Sequence, residues 1–132
     1  MRYMLDTNIC IYIIKMKPKK VLKKFLTFDV DEVGISTITL AELEFGVQNS
    51  SRFEQNKIAL AEFILPLEIS AFDEISAEEY GIIRTDLRKK GQLIGDLDML
   101  IAAHAKSIGC VLVTNNEKEF IRVNGLTVEN WI

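Results

Sequence analysis

Five short apolar runs, spaced by segments of helical periodicity, are the feature that most limits what this chain can fold into. They lie at residues 2–5, 33–37, 67–72, 110–114 and 126–128, and each gap between them carries one or two helical stretches. The helix over Ile9–Ile14 is closed off by Pro18, and the amphipathic segment from Arg52 to Leu65 is stopped by Pro66. Between them, Val21, Leu22, Phe25, Leu26 and Phe28 form a helical apolar stripe with lysines on the other face. Thr39-Leu40-Ala41-Glu42 and Ser76-Ala77-Glu78-Glu79 have the spacing of capping boxes, and are expected to open helices that run to Val47 and Lys90. Gly91 and Gly109 stand where glycine commonly ends a helix. Strands alternating with helices in this way predict an α/β sandwich around a central, mostly parallel sheet. In such open sheets, ligands collect outside the carboxyl ends of the strands.

At 132 residues, with no linker, repeat or low-complexity stretch, the chain reads as one domain over residues 1–132. A composition of 48% hydrophobic and 27% charged residues is that of an ordinary globular protein with a buried core. The balance of 16 Lys+Arg against 19 Asp+Glu, a formal charge of −3, excludes a uniformly basic nucleic-acid coat but not a local basic patch. Cys10 and Cys110 stand far apart among aliphatic residues, so the reading is two free buried thiols and no zinc or redox pair. The apolar run Ile9–Ile14 falls far short of the roughly 20 residues of a membrane span. No signal-peptide pattern accompanies it, and a cytoplasmic location is expected.

The acidic residues are informative by position. Asp6 directly follows the first strand, and Glu42 sits on the first turn of the helix after the second. Asp98 opens the helix feeding the fourth strand, and Glu119 follows the end of that strand. In the proposed topology these four can converge at one end of the sheet. Converging carboxylates repel one another unless a cation lies between them. A donor set of carboxylates without His or Cys favours Mg²⁺ or Mn²⁺ over zinc. Sites of that kind hydrolyse phosphodiesters. Each acid also has a plainer reading: Asp6 as a helix N-cap, Glu42 as the reciprocal partner of Thr39, Asp98 as an acid answering the helix dipole, and Glu119 as a solvated charge.

Several strings carry a resemblance. Met4-Leu5-Asp6-Thr7-Asn8-Ile9 resembles the opening of a PIN domain, and specifically of the VapC-type toxin ribonucleases. Ile35-Ser36-Thr37-Ile38-Thr39-Leu40-Ala41-Glu42-Leu43 with Gly46 resembles the second motif, and Gly91-Gln92-Leu93-Ile94-Gly95 followed by Asp98, Ile101, Ala102 and Ala105 the third. Val113-Thr114-Asn115-Asn116 with Glu119-Phe120 resembles the fourth, and the ending through Trp131 is similar to the terminal strand of that subfamily. The resemblance implies a PIN-like α/β/α sandwich and a Mg²⁺-dependent endoribonuclease in which Mn²⁺ is able to substitute. It also implies the toxin half of a type II toxin–antitoxin pair, a VapB-type antitoxin, a homodimer, and structured RNA, with tRNA favoured, as substrate. Asp6 and Asp98 match the principal metal-binding acids, and Glu42 the acid that completes the site. Many PIN domains place an aspartate two residues after the threonine of the fourth motif. Here that residue is Asn116, which as a neutral oxygen donor is also able to orient a ligand; Glu119 is the other candidate for the fourth position and is assigned a metal-site role.

Two basic groups stand near these motifs: Lys15, Lys17, Lys19, Lys20, Lys23 and Lys24 in a stretch without an acid, and Arg84, Arg88, Lys89 and Lys90 upstream of Asp98. Each reads either as a solvated helix face or as a track for RNA phosphates. His104, the one histidine, lies six residues after Asp98, about 240° round the helix, which points to packing or a local hydrogen bond rather than a general base. The exposed apolar positions of the helices between residues 38 and 65 are candidates for a dimer or antitoxin surface. A phosphatase with a nucleophilic aspartate would want a second acid where Asn8 stands, and a phosphoacceptor domain a lysine where Thr114-Asn115-Asn116 stands. A non-catalytic binding partner of an antitoxin keeps the same fold and would need none of the acids.

Overall fold

The computed structural model describes residues 1–132. Five parallel strands, β1 (Tyr3–Leu5), β2 (Val33–Ser36), β3 (Glu68–Ser70), β4 (Val111–Val113) and β5 (Val128–Glu129), form one sheet in the order β3-β2-β1-β4-β5. The expected mostly parallel sheet is thus parallel throughout. Its helices are α1 (Thr7–Lys15), α2 (Lys19–Phe25), α3 (Thr37–Gln48), α4 (Phe53–Ile64), α5 (Glu74–Lys89), α6 (Asp96–Ile108) and the short α7 (Glu117–Phe120).

The inner strands β1, β2 and β4 are apolar and largely buried because both faces of the sheet are covered there, whereas the edge strand β3 is mostly exposed. Along β1 the side chains alternate: Tyr3 and Leu5 join a core with Ile9, Ile13, Val33, Ile35, Leu43 and Leu60, whereas Met4 joins Leu87, Met99, Ala102, Leu112 and Phe120 on the other face. Near the carboxyl end of the chain, Trp131 stacks on Phe28 at 5.2 Å between ring centres and meets Tyr3 edge-on at 5.6 Å. This fastens the last residues to the first strand and to the segment after α2. Both cysteines are free and buried, as expected. No helix is long and apolar enough to cross a membrane.

Strand order reverses between β1 and β4: the chain builds outward through β2 and β3, then returns to add β4 and β5 on the other side. That reversal leaves a crevice at the carboxyl ends of β1 and β4, where open α/β sheets bind ligands.

The two expected capping boxes are absent, and in the first case the difference reaches the site. Helix α3 begins three residues earlier than the Thr39–Glu42 spacing implies, because the Ser36 hydroxyl accepts a hydrogen bond from the Ile38 amide at 3.0 Å and caps the helix. Glu42 is therefore not tied to the helix start. Helix α5 likewise begins at Glu74 with Asp73 as its cap, accepting from the Ser76 amide at 2.9 Å, and Ser76 turns inward to Ser107. A reciprocal box does form at Asp29–Glu32, ahead of β2, where no helix was expected.

Candidate active site

Asp6 follows β1 with no intervening loop and is 5% exposed. Its Oδ1 accepts from the Ile9 amide at 3.1 Å, so it does cap α1; its Oδ2 accepts from the Thr114 hydroxyl across the crevice between β1 and β4. The cap reading and the site reading of Asp6 are thus not alternatives, since one oxygen serves each. Thr114 is wholly buried, and its Oγ1 in turn accepts from the Asn116 amide at 2.9 Å. Burial pushes the Asp6 carboxyl above its ordinary range, against the pull of the Thr114, Ile9 and Asn8 hydrogen bonds, and the charge of Glu42 adds to the rise.

Asp98 lies in the first turn of α6, whose N-terminal end points at the same sheet edge. Its pKa is pushed up to about 6, first by burial, then by the charges of Asp6, Glu119 and Glu42 in that order. All four acids singled out by the sequence therefore act on one another through this carboxylate. Gly95 caps the helix without a side chain; a Cβ there would stand 3.2 Å from Asp98 Oδ2, so glycine keeps the space the carboxylate occupies. Glu42 accepts from the Thr7 hydroxyl at 2.8 Å, and Glu119 from the Asn116 side-chain amide at 2.9 Å. Each outer acid is thus held by a neutral donor, Glu42 from the first motif and Glu119 from within its own.

None of the chain's four ion pairs involves these acids; they join the N-terminal amine to Glu68, Arg2 to Glu32, Lys90 to Asp86 and Lys106 to Glu79. A half-buried carboxylate raised by the charges of three other acids, with no lysine, arginine or imidazole to balance it, matches the charge of a divalent cation, and an all-oxygen donor set matches a hard one. With Glu42 and Glu119 turned to their hydrogen-bond partners, no three acidic or imidazole side chains form a closed cage. Asp6 and Asp98 are left as the central pair.

Sequence reasoning found the four acids but not the residues that orient them. Thr7, Thr114 and Asn116 all lie inside the strings quoted above, yet nothing in their spacing says which carboxylate each will hold. The flanking basic groups are exposed as expected; all six lysines from Lys15 to Lys24 lie outside any ion pair, whereas in the second group Lys90 pairs with Asp86 and Arg84 donates to the Tyr80 hydroxyl at 2.7 Å. Beside the acids, a cavity of about 330 Å³ opens between α1, α3 and α4. Ile11, Ile14, Leu43, Val47 and Leu60 form its apolar wall, and Glu42 stands on its lining.

Comparison with known proteins shows the family. The family model for the PIN domain matches residues 3–126. Ribonuclease VapC2 of Rickettsia felis is 46% identical over 132 residues, covering 99% of this chain and 98% of that one. The tRNA(fMet)-specific endonuclease VapC of Shigella flexneri is 40% identical over 131 residues, with the same coverage. Among solved structures, the fold superposes with a TM-score of 0.94 on VapBC2 from Rickettsia felis bound to a DNA fragment from their promoter, at 43% identity and with 100% of both chains covered. The DNA-bound VapBC of Salmonella typhimurium gives the same score at 41% identity, covering 100% of this chain and 99% of that one. The chain has the PIN-like α/β/α fold and belongs to the PIN-domain family, within it to the VapC proteins.

Proposed function

We propose that this chain, a single PIN domain over residues 1–132, is a metal-dependent endoribonuclease and the toxin of a type II toxin–antitoxin pair. Structured RNA, with tRNA favoured, is its substrate, and inhibition of translation its effect. The observation that carries the reading is the buried Asp6 and the half-buried Asp98 at one sheet edge, with the charges of Asp6, Glu119 and Glu42 bearing on Asp98 and none of the four in an ion pair of the chain's own. The tRNA(fMet)-specific relative and the VapBC complexes support the substrate and partner.

Asp6 and Asp98 would hold Mg²⁺, for which Mn²⁺ is able to substitute, with Glu42 and Glu119 completing the site. The ion, when bound, polarises the scissile phosphate and activates water. The chain's own groups prepare this. Thr114 and the Ile9 amide fix both oxygens of Asp6 and favour its charged form, while Thr7 and Asn116 hold the outer carboxylates in reach. Without a cation this acidic crevice repels a phosphate backbone, so the exposed lysines from Lys15 to Lys24 are assigned to RNA attachment, where they add affinity but little sequence choice.

The apolar groove between α1, α3 and α4 is assigned to an amphipathic segment of a VapB-type antitoxin. Glu42 on its lining brings such a segment next to the site. A homodimer in the cytoplasm completes the reading. The test is cleavage of a tRNA pool by purified protein with Mg²⁺, Mn²⁺ or EDTA, with end-sequencing of the products. Discrete new ends that require the metal are expected; cleavage that survives EDTA, or that persists in Asp6→Asn, overturns the reading.

A further inference from the structure

We infer that His104 is a positioning residue for this site: a neutral imidazole wedged between the ends of β2 and β3, it braces α6 against the start of α3 and so sets Asp98 relative to Glu42. The inference rests on the nuclease reading for what that spacing serves.

His104 is 1% exposed and lies on α6, six residues beyond Asp98. Its Nδ1 meets the Ser36 hydroxyl at 2.8 Å, and its Nε2 meets the Ser70 hydroxyl at 3.0 Å. Those serines are register partners at the carboxyl ends of β2 and β3, so the ring spans two adjacent strands at the edge where the acids gather. Phe72 closes over it edge-on at 5.6 Å, and the Phe72 amide is itself held by the Thr37 hydroxyl at 3.2 Å.

The proton inventory fixes the ring's form. Ser36 Oγ is wholly buried and has two partners, the Ile38 amide and His104. The amide can only donate and occupies one lone pair; the ring is the one acceptor within reach of the buried Ser36 O–H, so pairing that proton makes Nδ1 the acceptor. The imidazole is then the neutral Nε2–H form, donating to Ser70. Burial also holds the ring below its ordinary pKa.

One serine thus caps α3 and anchors α6 at once. Glu42 lies six residues after that cap, and Asp98 six residues before the ring, about 9 Å along each helix. An apolar residue at 104 would leave the Ser36 O–H without an acceptor and the Ser70 hydroxyl without its ring partner, and free the helices to settle closer or to slide. An asparagine keeps an oxygen near Nδ1 for Ser36, whereas a glutamine reaches the Nε2 side and leaves the Ser36 O–H without an acceptor.

The test compares His104→Asn, His104→Gln and His104→Leu in steady-state RNA cleavage and in Mn²⁺ binding followed by electron paramagnetic resonance. His104→Gln and His104→Leu should lower kcat at least tenfold and weaken Mn²⁺ binding at least threefold, with KM for RNA within twofold. His104→Asn should stay within threefold of the parent in both. If His104→Leu does not fold, the two polar variants carry the comparison. Equal behaviour of Asn and Gln in an active parent overturns the positioning role alone. A parent that neither binds Mn²⁺ nor cleaves RNA overturns the nuclease reading, and the role with it. Because the chain has one histidine, its ¹⁵N spectrum needs no assignment. A neutral Nε2–H ring is expected, and an Nδ1–H ring refutes the donation from Ser36 to the ring.

Discussion

Replacing Asp98 with asparagine should make the metal-free protein more stable at neutral pH while abolishing its metal-dependent activity. The carboxyl is held at about 6 instead of 3.8, so folding disfavours its charged form. Two units correspond to about 3 kcal/mol at 1.36 kcal/mol per unit. Asp98 is half-buried, and screening by solvent removes half of that figure or more. Asparagine also gives up the favourable interaction of a charge with the start of α6, roughly 0.3–1 kcal/mol. The net gain for Asp98→Asn is at most about 1 kcal/mol, or roughly 4 °C in Tm at the upper end for a chain of this size. The pH dependence has a definite sign. For an acid whose folded pKa is raised, the contribution is full below 3.8 and is lost as pH rises through 6. The advantage of the variant should therefore be largest above pH 7 and vanish near pH 4. Thermal melts in EDTA between pH 4 and 8 measure it. Adding Mg²⁺ should then reverse the order, since only the parent gains the binding term, about 2.7 kcal/mol at a hundredfold excess over Kd. A variant no more stable than the parent in EDTA at pH 7.5, or a gap that does not change with pH, would refute the claim that burial and the charges of Asp6, Glu119 and Glu42 burden Asp98.

Asp6→Asn should lose at least a hundredfold in cleavage while staying within about 1 kcal/mol of parental stability, because asparagine is also a good N-cap; Asp6→Ala loses the cap and strands the Thr114 hydroxyl, and urea titration should find it about 2–3 kcal/mol less stable. Lys20→Gln combined with Lys24→Gln should weaken RNA binding for all sequences alike and reduce the slope of log K against log salt by about 1 to 2, read from filter binding at several salt concentrations; an unchanged slope removes that face from the RNA path. Gly46 lies within α3 on the lining of the apolar groove, and a Cβ built there meets nothing within 4 Å. Gly46→Ala should therefore stabilise the fold by about 0.5–1 kcal/mol, whereas Gly46→Phe should fill the groove and weaken antitoxin binding at least tenfold by calorimetry, with RNA cleavage retained.

Helix starts were the least legible part of the sequence, and they decide what Glu42 does. Thr39 and Glu42 have capping spacing, but Ser36 lies three residues nearer β2 and takes the cap instead, leaving Thr39 Oγ1 buried without a partner and Glu42 free to reach Thr7. Capping spacing is local, whereas the choice between two eligible caps was made by what else each could bond. Only Ser36 lies in register with Ser70 and within reach of His104, 68 residues away. The acids were legible for the opposite reason. Asp6, and Asp98 at the head of a helix returning antiparallel to the strands, are fixed by strand ends and helix caps, which short apolar runs and glycines mark plainly. Helical periodicity also put His104 on a different face from Asp98, and so away from proton transfer, but it could not name two serines on two other strands. The division has a physical basis. Apolar burial is a property of each segment's own pattern, while a buried polar group must find partners, and those partners come from wherever the topology brings strand ends together. In this fold the strand ends meet at the crevice, so the residues hardest to read from the sequence, Thr7, Ser36, Thr114 and His104, are the ones that hold the acids in place.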